Sequence, residues 1–510
     1  MPRKKKDKLP LYFLALSALV FMTAVIPGCS KKPSGQQTHT AAELRYGYAT
    51  EPNSLSPLNP SRTADGDAVL FNVFEGLVRP DTEGRIRPWL AESAAIEDSG
   101  RIYRFNLRNN VQFHDGRPLS SRDVKASLET AAAAGFAGLD AIDRIETEGS
   151  LGIRVILKNP DPDFLPYLTI GIISADNTGR EKWPAGTGPY SIESYTIQRS
   201  LVLRKFKNYW RENVPQLEKI TVSFLADSDA LVLALLGGSI DGATLPGALA
   251  QQLSPGRFDI VQSYSSMVQL MALNNAAPPL NDIRVRQAIN YGIEIRGIID
   301  AAFFGRGEPS GSPIIPGLSA YYDKSLADPY PHDRNKAAAL LAEAGYGEGS
   351  QKLSLEITVP SNYTMHIDTA QVIAGQLSQI GIDVSIKLVD WATWISSVYQ
   401  GRQYQATIIS LDSPVVSPRA FLSRYQSDSG SNFINFSSAD FDDVYSAILA
   451  ETDENMRIAL YRDAQQIISA NAASVYIQDI LGFKALRAGA FGGVLSYPLS
   501  ADDFASMYGK

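Results

Sequence analysis

A chain of 510 residues with a single cysteine cannot be held together by disulfides, so its fold must rest on an apolar core. That cysteine, Cys29, follows the apolar run "LYFLALSALVFMTAVIPG", which itself follows the basic stub "MPRKKKDK". A positive n-region, an uncharged h-region and small-residue punctuation form the pattern of an export signal. A permanent membrane anchor is the competing reading, since the run is just long enough to be a candidate span. Pro27 and Gly28 at its end, and the polar "CSKKPSGQQTHTAAE" beyond, favour processing. The leader is assigned to residues 1–28 and a flexible tether to 29–43. Removing the leader takes five basic residues and one acid from a chain of formal charge −7, leaving −11 on 482 residues. That acidity argues against nucleic acid as a partner, because such binding works by neutralising phosphates. A length of 482 residues suits two or three domains.

From Leu44 onward, strand-like and helix-like patterns alternate. "RIYRFNL", "GIRVILK", "SLVLRKF", "KITVSFL", "IDVSIKLV" and "QATIISL" read as strands. In the fifth, Ile382, Val384, Ile386 and Leu388 recur at every second position, as in a half-buried strand. Helical patterns lie between them. "SSRDVKASLETAAAA" starts with Ser120 and carries Asp123 three residues on, resembling a capping box. "DRNKAAALLAEAGY" runs from a cap at Asp333 to Gly345, and "DTAQVIAGQLSQIG" stops at Gly381. "ADFDDVYSAILAE" and "ENMRIALYRDAQQIISAN" complete the set. Repeated helix-then-strand order predicts an α/β protein.

Enzymatic constellations are scarce. The four histidines, His39, His114, His332 and His366, show no metal-pair spacing. His114 in "FHDGRP" reads as a turn residue rather than a base. "GTGPY" (186–190) has no following Lys-Ser/Thr and is no phosphate loop. There is no G-x-S-x-G elbow. The tryptophans at 89, 183 and 210 read as core, whereas Trp391 and Trp394 sit three apart at the start of a short helix, on neighbouring sides of one turn. No cofactor and no metal site is expected, and the chain is not read as an enzyme.

Together these segments carry a resemblance. "ATEPNSLSPLNP", the long "FNVFEGLVRPDTEGRIRPWLAESAAIEDSGRIYRFNLRNNVQFHDGRPLSSRDVKASLE", "GTGPYSIESY", "ALNNAAPPLNDIRVRQAINYGIE" and "QLSQIGIDVSIKLVDWATWISSVYQGRQYQ" occur in order over residues 44–480. The chain resembles the extracellular solute-binding proteins of the peptide/nickel ABC importer family. "Ile26-Pro27-Gly28-Cys29" likewise resembles a bacterial lipobox, with Pro27 an unusual occupant. These resemblances imply an exported monomer anchored to the cell envelope by lipid on Cys29. Its partners would be a small solute, ABC permease subunits and their ATPase.

The implied fold is a two-lobed, type II-like binding-protein architecture. Lobe one would comprise residues 44–75, 185–265 and 480–510, with an inserted subdomain at 76–184. Lobe two would comprise 266–479, with hinge strands near Ser263–Asn275 and Tyr476–Phe483. By the same resemblance Trp391 lies against the solute, and Ser61 to Thr63 face it from lobe one. Peptide binders of the family hold the ammonium with an aspartate at a position that reads Pro414 here. Asp412 lies two residues earlier, on the same face of a strand or turn. The positions where such binders carry an arginine read Val398 and Ile408. These departures would serve a free short peptide held at both ends poorly, yet the resemblance still implies a peptide or peptide-like solute. A sugar, an opine-like compound, a metal chelate or a sensing role remain alternatives.

Overall fold

The computed structural model describes residues 42–61, 64–176, 183–347, 351–413 and 415–510. Cys29 and the whole leader lie outside the described residues, as do Thr63 and Pro414. All six strand patterns form strands and all five helical patterns form helices. Local chemistry sets their ends. The Asp123 carboxylate accepts the Ser120 N–H at 2.9 Å and starts the helix Ser121–Ala133. The Asp333 carboxylate accepts the Lys336 N–H at 3.0 Å and starts Arg334–Glu343. Gly381 takes a φ of +84° just after the helix Thr364–Ser378, where a side chain would be strained.

An 11-stranded mixed sheet organises the molecule. At one end, Leu353–Pro360 runs parallel to both Ile382–Val389 and Ala406–Asp412. At the other end, Glu43–Tyr48 runs parallel to both Lys219–Phe224 and Gly242–Pro246. Two long strands, Phe258–Leu273 and Ser474–Arg487, lie between these groups and pair antiparallel with each other. Their pairing slips between Tyr264 and Val268, where Ser266 has a φ of +58°. A separate four-stranded sheet, ordered Ala91–Glu97, Ile102–Leu107, Gly152–Leu157, Ile142–Glu148, carries the helix Ser121–Ala133.

The apolar cores divide at that slip. Phe258, Leu481, Phe483 and Ala485 pack with Leu231, Leu245 and Leu253. Met271, Leu273, Val475 and Ile477 pack with Leu355, Ile357 and Ile373. Each long strand thus leaves one core and enters another. Between them lie "QSYSS" (262–266) on one strand and Gln478–Asp479 on the other, segments that are polar apart from Tyr264, whose ring packs against the first core. Two bodies of core joined by two strands is the arrangement of a hinged clamp.

Several motif residues prove to be scaffold. The Gly186 N–H donates to His114 Nδ1 at 3.3 Å, and His114 Nε2 then donates to the Gly188 carbonyl at 2.9 Å. Burial lowers the imidazole pKa to about 4, so the ring is neutral near pH 7. This ring ties "FHDGRP" to "GTGPY". A Cβ at Gly186 would lie 2.0 Å from the Val73 carbonyl oxygen, so the glycine permits close packing there. Glu75 is buried beneath Trp89 Nε1 at 2.7 Å, Tyr209 Oη at 2.8 Å, Thr187 Oγ1 at 2.9 Å and Trp210 Nε1 at 3.2 Å. Burial raises its pKa while these donors pull it back down. Trp89 and Trp210 therefore belong to a buried polar hub around Glu75.

Candidate solute site

In open α/β sheets, ligands collect beyond the carboxyl ends of parallel strands. Both parallel groups aim those ends at the slip in the long strands. Asp412 ends its strand opposite Met267, three residues from Tyr264. Pro246 ends its strand opposite Gly482, which also faces Ser263. The residues that follow Pro360, Val389 and Asp412 therefore line the same edge of the second lobe.

Those residues include an aromatic stack. Trp391 and Trp394 lie face to face, centroids 5.1 Å apart and 5° from parallel. The Tyr363 ring meets Trp391 edge-on at 5.7 Å. The Asp390 carboxylate accepts the Thr393 N–H at 3.0 Å and fixes the start of the turn. The chain then widens into a π-helical stretch over Trp394–Gln400, a distortion frequent at functional sites. Trp394 is 3% exposed and donates Nε1–H to Thr407 Oγ1 at 2.9 Å. Trp391 is 42% exposed. One indole is core, and the other lies on it with its outer face open.

Asp412 is exposed, and among the described residues its carboxylate has no ion-pair partner. Arg424 donates to the Asp412 backbone carbonyl at 3.3 Å. Behind the edge, the Gln269 amide donates to His366 Nδ1 at 3.1 Å and accepts from Gln478 Nε2 at 2.8 Å. Burial lowers the His366 pKa to about 4. Asp479 is buried in the slip. Its Oδ2 accepts the Gly317 N–H at 3.2 Å, while Oδ1 has no partner. Burial pushes its pKa well up, with Glu308 adding to the rise.

Ser61 lies in the exposed loop that follows Glu43–Tyr48. Its N–H donates to Asn59 Oδ1 at 3.0 Å, and its carbonyl accepts from Asn53 Nδ2 at 2.7 Å. The structure thus brings Trp391 and Asp412 to one edge and leaves Ser61 bonded within its own loop. Tyr363 was not anticipated as a site residue; it lies three residues beyond the end of the strand Leu353–Pro360. Among the described residues no cluster of three metal-ligating side chains occurs, and no helix is long and apolar enough to cross a membrane.

A family model described as bacterial extracellular solute-binding proteins, family 5 Middle, matches residues 85–433. The chain belongs to the bacterial extracellular solute-binding proteins of family 5. These serve ABC importers, as the sequence resemblance implied. Heme-binding protein A of Haemophilus influenzae is 26% identical over 542 residues, covering 96% of this chain and 98% of that protein. The glutathione-binding protein GsiB of Salmonella paratyphi A is 26% identical over 440 residues, covering 81% and 84%. Among solved structures, the unliganded open form of MppA, a periplasmic murein tripeptide binding protein, superposes with a TM-score of 0.82 at 22% identity. That match covers 92% of this chain and 97% of MppA. The fold is the type II-like binding-protein fold.

Proposed function

We propose that this family 5 protein captures a peptide-like solute bearing an amine and hands it to an ABC permease. Capture, not turnover, is its task. Residues 44–75, 185–265 and 480–510 would form the first lobe, 76–184 its insert, and 266–479 the second lobe. The chain would act as a monomer held to the envelope by lipid on Cys29, since one thiol after an exported apolar run has no disulfide partner.

The observation that carries this reading is the open face of Trp391 on the same strand edge as the unpaired Asp412 carboxylate. An aromatic face accepts varied apolar side chains and attracts cations, and a free carboxylate offers an ammonium its partner. A planar solute such as a metal chelate is the second reading, favoured by the flatness of the Trp391–Trp394 stack.

Native mass spectrometry of protein purified from its own host identifies what it carries, and a mixed di- to pentapeptide library tests the class by thermal shift. We expect an amine-bearing solute, and a peptide-induced shift that Asp412→Asn reduces. A carried species without an amine, together with no shift from the library, refutes the peptide reading.

A further inference from the structure

The two bodies of core touch somewhere other than through the long strands. Asp161 and Asp163 follow the four-stranded sheet, next to Phe164 and Leu168 of its core. Arg419 and Tyr461 lie on the helices Pro418–Leu422 and Glu454–Ala470, which pack in the second lobe. The Arg419 guanidinium pairs with Asp161 through Nη1, and its Nε lies 3.8 Å from Asp163 Oδ2. Asp163 also accepts from Tyr461 Oη at 2.8 Å and Ser417 Oγ at 3.1 Å, and Arg457 Nε stands 3.7 Å from its other oxygen. Arg419 reaches the Tyr167 hydroxyl at 3.3 Å as well. Two cations and two anions are matched here, with side chains only 10–18% exposed.

This cluster is one step from the candidate site. Asp412 ends its strand, and Ser417 and Arg419 begin the next helix. Asp412 is held by the sheet, and Ser417 and Arg419 are held by Asp163 and Asp161 of the opposite body. We propose that Asp161 and Asp163 are positioning residues that latch the insert to the second lobe, hold the helix that follows Asp412 in place and bias the clamp toward the arrangement seen in this structure. They touch no solute. The latch rests on the reading of the molecule as a hinged clamp around a solute.

The pattern of charges fits a latch better than a static core contact. If the bodies part here, all four charged groups and the hydroxyls of Tyr461, Ser417 and Tyr167 can regain water, so parting strands no buried charge. Removing one side alone leaves the other buried and unpaired in this arrangement, which shifts the balance away from it. A more solvent-accessible contact between the same bodies, Arg85 Nη1 to Glu454 Oε1 at 3.3 Å with side chains 24% and 38% exposed, is a built-in comparison, since pairs open to water contribute less than buried ones.

The test measures the empty protein. Cys29→Ser removes the only native thiol, and Glu129→Cys with Asp440→Cys supplies spin labels on exposed helices of the two bodies. Pulsed dipolar spectroscopy then reads the distance between them. We expect Asp161→Asn/Asp163→Asn and, separately, Arg419→Met to deplete the population at the distance of this structure about tenfold or more, whereas Arg85→Ala changes it by less than about twofold. Folded variants with a wild-type distance distribution overturn the latch. If both variants fail to fold by circular dichroism, the cluster belongs to the folding core and the proposal also falls. Solute identity does not enter this measurement, so a failed peptide library and a failed latch are separate results.

Discussion

Replacing Trp391 and Trp394 separately by alanine should split stability from binding. Trp394 is 3% exposed, hydrogen-bonded to Thr407 and packed against Tyr399 and Phe433. Its truncation opens a cavity and should cost about 3–5 kcal/mol. With an unfolding entropy of ~2.1 cal/mol/K per residue over roughly 470 residues, each kcal/mol moves Tm by about 1 °C. Trp394→Ala should therefore lower Tm by about 3–5 °C. Trp391 is 42% exposed, and its ring contacts are to Trp394 and Tyr363. Losing such stacking costs about 1 kcal/mol, so Trp391→Ala should lower Tm by only about 1 °C. Binding should show the reverse. An aromatic face against a cation or ring is worth about 1–2 kcal/mol when desolvated, which raises Kd roughly 5- to 30-fold. Scanning calorimetry reads the first quantity, and titration calorimetry with the host-carried solute or its nearest peptide reads the second. The assignment is refuted if Trp391→Ala destabilises as much as Trp394→Ala, or if it binds with wild-type affinity while folded.

Three further outcomes follow from named groups. His366 holds a lowered pKa of about 4 through burial. Between about pH 6.5 and pH 4 the unfolded chain takes up a proton that the folded ring refuses, so stability falls on acidification. Tm measured across that window should fall less steeply in His366→Gln, and an unchanged slope would count against a neutral buried ring. Asp479 works in the opposite sense. Its folded pKa lies above the ordinary carboxylate range, so its contribution is intact at low pH and is lost as pH rises through the folded value. Asp479→Asn should remove that loss, seen as higher relative stability at pH 8 than at pH 4. Cys29→Ser should leave an unprocessed or soluble protein in detergent phase partitioning, and continued membrane partition at the mature mass would defeat the lipid assignment.

Much of the fold was legible because its elements declare themselves locally. The alternation Ile382, Val384, Ile386, Leu388 matches a strand with one covered face, and the caps at Ser120 and Asp333 mark helix starts within one turn. The long strands were harder to bound. Their expected crossing near Ser263–Asn275 falls within Phe258–Leu273 and just past its end, since nothing in an apolar run such as "MVQLMAL" states where its pairing begins. The different fates of Trp391 and Trp394 were not readable from their three-residue spacing alone. The π-helical widening and the Thr407 partner fix which ring turns inward, and both depend on packing with a neighbouring strand. The Asp161–Arg419 pair, 258 residues apart, has no local signature at all. On sequence alone these are two charges on solvated faces.

That contrast bears on how such a clamp can be specific and still open. Every long-range contact that stabilises the closed form also resists release of the solute. A clamp that buried apolar surface between its lobes would hold itself shut through a non-directional attraction that water cannot replace. Here the strand segments between the cores are polar, "QSYSS" and Gln478–Asp479, and the insert meets the second lobe through carboxylates, guanidinium groups and hydroxyls. Water can satisfy each of these groups when the lobes separate. The apolar cores keep each body rigid on its own side of the slip. On this proposal, hydration of the interlobe groups would keep the free-energy gap between closed and open small. A solute bound, as proposed, across Trp391 and Asp412 would then need only a modest difference in affinity for the two forms to decide which one predominates.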